Sequence, residues 1–548
     1  MHRHPTALRR RALRPRSVRH DADPANRARR PGTQGAGYIN EGSQRAGQGH
    51  HVKMPLRLTL STLGATLACA AQAALPNSVV AALQAANVPP EAVSMLVAPV
   101  EGAAPARLEH DTQAVRTMAS VMKLFTTGAA LNTLGPAFVW RTDAALGGPL
   151  KPNGKLDGPL YLRGSGDPSL VLENVQLMMT RWRAAGLRDI QGGILVDRQA
   201  FDIPAHDPAA FDGQVLKPYN AGPDALLLNH QAIILRFMPD AARPGQIRVS
   251  MEPELAEVRL DPHVRLQASG ACGDWREGLA LNMKPAAGWK QHGLRPWTLT
   301  VNGPYPAACG MKDWPVLWQG DGPGDYTARL LSATWQRAGG KLGDAIEPGN
   351  WPAQGADPAP AWQSWVSPPL GQIVRDINKF SNNVMARQLF LTLGAQQSGW
   401  PATLDKARAA VTQQVLLNTR DGAGRSPCEG DALALDNGSG LSRQERSSAH
   451  CLGRWLQGMW AAPTMPEFIA SLPISGTDGT ARRLQSVAGR AHLKTGSLDG
   501  VAALAGYVEG ESGRRYVVVA VINHAQANAA RPAMEALVAW AMRDRADQ

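Results

Sequence analysis

The sequence contains no Cys-x-x-Cys pair and no His-Glu-x-x-His stretch, and five of its 13 histidines fall before residue 52 with the other eight scattered. A thiolate or imidazole metal centre has little to build on, so no metal or other cofactor is expected. No Gly-x-Ser-x-Gly elbow occurs, which argues against an α/β-hydrolase triad. The glycine-rich stretch Gly164-Ser165-Gly166 lacks the full dinucleotide pattern and the following helix, and so reads as turn chemistry. Aromatic residues are only 5% of the chain. Fifteen of them are Trp, spread along the sequence, which suits core and interdomain packing better than a glycan-stacking platform. Basic residues without interleaved aromatics, Tyr38 apart, make a poor nucleic-acid arm, and no nucleic-acid partner is expected.

The formal charge of +12 is unevenly placed. Residues 1–53 hold eleven Arg and Lys53 against Asp21, Asp23 and Glu41, and Arg57 is the only charge in 54–73, which leaves about +2 for the remainder. Residues 1–53 are also rich in Gly and Pro and lack aliphatic periodicity, so they are expected to be a disordered extension upstream of the working start. From Met54 the layout is that of a secretory signal peptide. A cation (Arg57) precedes the apolar run Leu58–Ala70, and the small-x-small site Ala71-Gln72-Ala73 follows. The run is short for a bilayer span. Cys69 raises a lipid anchor, but Thr66-Leu67-Ala68 is a poor match to the Leu-rich box such an anchor needs. The expectation is therefore export to the periplasm with cleavage after Ala73. A mature charge near +2 gives at most loose membrane association. The exported part keeps Cys272, Cys309, Cys428 and Cys451, an even number that suggests disulfides. Three pairings are possible. The nearest-neighbour one is simplest, each loop contributing roughly 3–4 kcal/mol in the chain-entropy picture.

Along the exported chain, Leu75–Ala86 reads as a helix, Val93–Val100 as a strand, and a turn at 102–105 leads to a second strand ending near His110. A helix from Ser120 to about Leu134 stops at Gly135-Pro136. From 145 to 320 short strand-like runs alternate with Gly/Pro turns, with one helix at Gln176–Gly186; this segment is expected to be one or two inserted, mainly β, domains. Helical periodicity returns at Tyr326–Ala338 and at Leu370–Leu391, the latter broken near 378–383. The runs Ala491–Thr495, Val501–Val508 and Tyr516–Ile522 read as strands and Ala529–Arg545 as a closing helix. An α+β fold is expected, with a helix-covered antiparallel sheet built from both chain ends.

Within this frame three short motifs stand out. Ser120 and Lys123 are one helical turn apart, which puts an amine within reach of a hydroxyl. A serine hydroxyl is a weak nucleophile until a base takes its proton, and a lysine serves once desolvation or a nearby cation lowers its pKa. Ser381-Asn382-Asn383 lies at the break in helical texture, where a plain helix cap would also use Ser and Asn. Lys494-Thr495-Gly496 lies on the first terminal strand. Singly each is weak; together and in this order they form the set Ser-x-x-Lys, Ser-x-Asn, Lys-Thr-Gly.

On these motifs the sequence resembles the penicillin-binding proteins and serine β-lactamases. The long gap from Ser120 to Ser381 is similar to that of the class C low-molecular-mass penicillin-binding proteins, peptidase family S13. The stretches 119–124, 164–168, 437–443 and 478–480 look like that family too, and the likeness spans 74–548. It implies a penicillin-binding/β-lactamase-like transpeptidase domain over 74–144 and 321–548, interrupted by the insertion at 145–320. It implies a serine D,D-carboxypeptidase and D,D-endopeptidase acting on peptidoglycan stem peptides, with β-lactams as inhibitors. It also implies roles. Ser120 is the nucleophile and Lys123 its base; Lys494 keeps Lys123 neutral and, with Thr495, takes the terminal carboxylate. Ser381 relays a proton, Asn383 orients Lys123 and substrate, and the backbone of Ser120 and Ser497 forms the oxyanion hole. Gly496 leaves room for the acyl chain along the strand. Two other readings use the same residues: a β-lactamase or esterase on this scaffold, or a non-catalytic wall-binding protein. The loops 437–443 and 478–480 are expected to shape the cleft without a catalytic role.

Overall fold

The computed structural model describes residues 74–545, apart from Ala103, Ala241, Pro244 and Gly355. The extension and signal peptide expected over 1–73 lie outside the described residues.

The chain ends meet in one antiparallel sheet. Its strands are β1 (Val93–Pro99), β2 (Leu108–His110), β3 (Ala491–Leu498), β4 (Val501–Glu509) and β5 (Arg515–Asn523), in the order β2-β1-β5-β4-β3. Strands β4 and β5 are apolar almost without interruption because both faces are covered. Val517, Val519 and Val521 point into one core, while Val518, Ala520 and Ile522 point into another. The second of these is closed by α1 (Asn77–Ala85) and the C-terminal helix Arg531–Met542. The first is closed by α2 (Lys123–Leu134), α3 (Leu370–Phe380), α4 (Asn383–Ser398) and α5 (Ala449–Ala461). Helix α2 is buried on every face from Lys123 to Leu131, as its lack of a polar side requires. Trp455 of α5 packs on it and donates its indole N–H to the Leu124 carbonyl at 3.0 Å.

A separate core joins residues 144–365. It contains a mixed five-stranded sheet in the order Ile346–Pro348, Ile194–Asp197, Leu160–Arg163, Arg141–Leu146 and Gln363–Val366, with two three-stranded sheets over 232–317. Two helices pack in it, Leu172–Ala184 and Asp325–Arg337, so the first begins four residues before the sequence suggested. The second corrects the boundary expected at 321. Tyr326, Leu330, Leu331 and Trp335 bury in this core, not in the one around α2, and the chain returns to the latter only at Leu370. Periodicity shows that a helix has a buried face; it does not show against which core. Strand Arg141–Leu146 likewise belongs to this sheet, although its residues 141–144 fall on the catalytic side of the boundary expected at 144. Cys272 bonds Cys309 and Cys428 bonds Cys451, the nearest-neighbour pairing. Among the described residues, no helix is long and apolar enough to cross a membrane, and no group of His, Cys, Asp or Glu could hold a metal ion.

Candidate active site

Ser120 does not open an α-helix directly. It sits in a 3₁₀ turn, Ala119–Met122, that feeds α2 at Lys123. With three residues per turn, side chains at i and i+3 eclipse, so the Ser120 hydroxyl and the Lys123 amine stand over one another. The Lys123 Nζ donates to Ser120 Oγ at 3.1 Å. Ala119, just before the serine, has φ +48°, a strained value for a residue with a side chain.

Lys123 is fully buried and its amine has two further partners, both carbonyl oxygens: Asn383 Oδ1 at 2.5 Å and the main-chain oxygen of Ser439. Carbonyls only accept. In the neutral amine they hold both N–H groups, and the lone pair is left facing the Ser120 hydroxyl. Burial pushes the amine far below its ordinary value; Lys494 adds to this and Glu445 opposes it. Of the two causes that the sequence left open, desolvation thus comes first and like-charge repulsion second.

Lys494 on β3 is also fully buried, and burial brings its amine down to about 7. Its Nζ donates to Ser381 Oγ and to the Thr495 carbonyl, each at 2.9 Å. Ser381 terminates α3 with φ +58°, which turns its hydroxyl out of the helix toward β3. The next residue is a plain helix cap: Asn382 Oδ1 accepts from the Met385 N–H at 3.0 Å and starts α4. One three-residue motif therefore divides its work, with Asn382 capping and its two neighbours facing the site.

Gly496 meets a constraint that the sequence did not show. A Cβ there would lie 2.5 Å from the Met118 carbonyl oxygen and 3.1 Å from the Ser120 nitrogen. Strand β3 thus lies directly against the turn that carries Ser120, and a side chain would push that turn away. The Thr495 hydroxyl is bonded to that of Thr480 at 2.7 Å. The 478–480 loop is pinned by Asp478 to the buried Lys379 amine at 2.6 Å, two residues before Ser381. Ser497 is exposed, with its hydroxyl taking a 2.7 Å bond from Arg531.

Ser120, Ser381, Asn383 and Ser497 line one open cavity of about 970 Å³. Its far wall comes from the inserted segment and carries Phe211, Asp212 and Tyr219; Arg443 completes it, its guanidinium over the Phe211 ring at 5.9 Å. Lys123 and Lys494 are each bonded to a residue of the cavity lining, and Thr495 and Gly496 adjoin Ser497 on β3. Sequence reasoning missed the Ser439 carbonyl and Glu445, whose loop it had treated only as shaping the cleft. The Gly-Ser-Gly run at 438–440 was the one available signal.

The chain was compared with known proteins. The model of the D-Ala-D-Ala carboxypeptidase 3 (S13) family matches residues 75–544. A D-alanyl-D-alanine carboxypeptidase from an Actinomadura species is 28% identical over 446 residues, 77% of this chain and 76% of that protein. The D-alanyl-D-alanine carboxypeptidase DacB of Haemophilus influenzae is 23% identical over 420 residues, 74% of this chain and 80% of its own. The crystal structure of penicillin binding protein 4 from Haemophilus influenzae has a TM-score of 0.66 at 19% identity and covers 86% of this chain and 100% of that one. Its complex with a β-lactam gives a TM-score of 0.61 at 19% identity, over 84% of this chain and 97% of that one. The fold is therefore of the penicillin-binding type, and the family match runs through both halves of the molecule. The chain belongs to the D-Ala-D-Ala carboxypeptidase 3 (S13) family of serine-type hydrolases.

Proposed function

We propose that the protein is a periplasmic serine D,D-carboxypeptidase that also cleaves D,D cross-links, acting on peptidoglycan stem peptides through an acyl-enzyme on Ser120. The observation that carries this is the Lys123 amine, 3.1 Å from Ser120 Oγ, dry, and held by two acceptors that leave its lone pair free for the serine proton.

In this mechanism Ser120 Oγ attacks the carbonyl of the penultimate D-Ala while its proton passes to Lys123. The oxyanion forms against the backbone N–H groups of Ser120 and Ser497. The C–N bond then breaks, and the leaving amine takes a proton through Ser381, whose hydroxyl is backed by the Lys494 amine. For a carboxypeptidase the leaving group is D-Ala, whose carboxylate is met by Lys494 and Thr495; for a cross-link it is the side-chain amine of a diamino acid. Water then releases the acyl group. The strained amide of a β-lactam enters the same path and stays as the acyl-enzyme, in keeping with the β-lactam complex of the Haemophilus influenzae relative. The leader layout at 54–73 supports export.

Fluorescent penicillin should label the wild type covalently and leave Ser120→Ala unlabelled; equal labelling of the two would refute the assignment. Digestion of purified monomeric and cross-linked muropeptides, assayed separately, tests the two activities. Mass spectrometry of the mature protein recovered from the periplasm should find an N-terminus at Ala74.

A further inference from the structure

The loop that supplies the Ser439 carbonyl is wrapped around a carboxylate. Glu445 is fully buried, at 0% exposure. Its Oε1 accepts from the backbone N–H of Asp436 at 3.1 Å, of Asn437 at 3.0 Å and of Gly438 at 2.5 Å, and its Oε2 accepts from the N–H of Gly440. Four amides converge on one side chain, so the loop turns its carbonyls the other way. Both that matter land on α2. The Gly438 oxygen accepts from Thr126 Oγ1 at 2.7 Å, and the Ser439 oxygen accepts from the Lys123 amine. The loop also lies directly on the nucleophile: a Cβ on Gly440 would fall 2.0 Å from the Ala119 carbonyl oxygen and 2.8 Å from the Ser120 Cα.

We propose that Glu445 is a positioning residue for acylation, its carboxylate gathering the amides of 436–440 so that the Ser439 carbonyl is presented to the Lys123 amine. The inference rests on Lys123 being the base for Ser120. Without an acceptor at the centre, the buried N–H groups of Gly438 and Gly440 and the half-buried ones of Asp436 and Asn437 would lose their partner, and the loop could not keep this shape. A carboxylate suits the place because both its oxygens only accept, whereas a Gln would turn an NH₂ toward the Gly440 N–H.

The carboxylate has a second effect. The charged groups around Lys123 are the Lys494 and Arg387 cations, which hold its amine down together with burial, and Glu445, which holds it up. Around Glu445 itself, burial and Asp436 disfavour its charge while the amides favour it. Glu445 thus sets both where the amine points and how high in pH it stays protonated.

The test compares wild type, Glu445→Gln and Glu445→Asp. Second-order acylation by fluorescent penicillin is measured from pH 5.5 to 10, the Lys123 signal is titrated by ¹³Cε-lysine NMR (assigned with Lys123→Arg), and Tm is recorded. Glu445→Gln should lower the acylation plateau by about 10- to 100-fold. It should also move the acid limb, and the Lys123 NMR midpoint, to lower pH. Glu445→Asp keeps the charge but shortens the arm, so its limb should stay near that of wild type while its plateau falls. A Glu445→Gln protein with wild-type plateau and limb overturns the inference even if its Tm drops. If that variant does not fold, an unchanged plateau in Glu445→Asp does the same. Absence of penicillin labelling in wild type would instead count against the acyl-enzyme reading, while the NMR midpoints still decide the role of Glu445: a shift in Glu445→Gln supports it and no shift refutes it.

Discussion

Replacing Lys494 by Met should make the protein more stable at acid pH while removing its activity. Lys494 is fully buried and its amine is brought down to about 7. In the unfolded chain a lysine titrates near 10.4. The folded value is the lower one, so between the two the unfolded chain binds more protons, and stability rises with pH across that window. At about 1.36 kcal/mol per unit, the penalty on the fold is about 5 kcal/mol at pH 6 and falls to about 2 kcal/mol at pH 9. Against it stand two hydrogen bonds, to Ser381 Oγ and the Thr495 carbonyl at 2.9 Å each, worth about 1 kcal/mol apiece in net terms. Met fills a similar volume without the charge. The variant should therefore gain about 3 kcal/mol over wild type at pH 6 and close to nothing at pH 9. Calorimetric unfolding of both proteins at the two pH values, with disulfides intact, measures the difference. A Met variant less stable than wild type at pH 6 would refute the reasoning, and so would an advantage that does not shrink by pH 9.

Other expectations follow from the same geometry. Gly496→Ala should cut the acylation rate about 100-fold with the fold retained, because its Cβ would lie 2.5 Å from the Met118 oxygen and displace the nucleophile turn; a wild-type rate would show that the turn can yield. Asn382→Ala should cost about 1 kcal/mol of stability in denaturant titrations as a lost cap, while acylation stays within a few-fold of wild type. Lys123→Ala should nearly abolish acylation with the circular dichroism spectrum unchanged. In wild type, the acid limb of acylation should lie well below the ordinary lysine range, since burial holds the Lys123 amine down; a rate that climbs only above pH 9 would mean the amine is hydrated.

Much of this was legible in the sequence, for physical reasons that also mark where legibility stops. The unbroken Val and Ala runs at 501–508 and 516–522 had to be strands covered on both faces, and they are. The side chains of the site belong to types whose chemistry demands particular neighbours, so Ser120, Lys123, Ser381, Asn383 and Lys494 could be named from three motifs. The Ser439 carbonyl could not, because a main-chain oxygen is the same at every residue. Glu445 could not either: in a sequence it resembles any solvated glutamate, and only the loop folded around it shows otherwise. Gly496 could be named from its motif, but the spacing along β3 does not reveal that the serine turn lies against its backbone. The helix Asp325–Arg337 was assigned to the wrong core because amphipathicity fixes a face and not its partner.

A Ser–Lys pair works only if its amine is dry, neutral and aimed, and the chain supplies these properties from separate places. Dryness comes from α2 being buried all round. The pull toward neutrality comes from that burial first and from Lys494 of β3 second. Aim comes from Asn383 and Ser439, which are 260 and 316 residues from Lys123 in sequence. Both lie in the stretch that resumes at Leu370, beyond the entire second core. The local pair Ser120–Lys123 can form with its own 3₁₀ turn, but before that later stretch packs, its amine has neither the two carbonyls nor the dry surroundings and remains an ordinary protonated lysine. In the proposed mechanism Ser120 is therefore activated only by the completed fold. Each of its supports is a buried polar group held by others: Lys123 by two carbonyls, Lys494 by Ser381, and the Ser439 loop by Glu445.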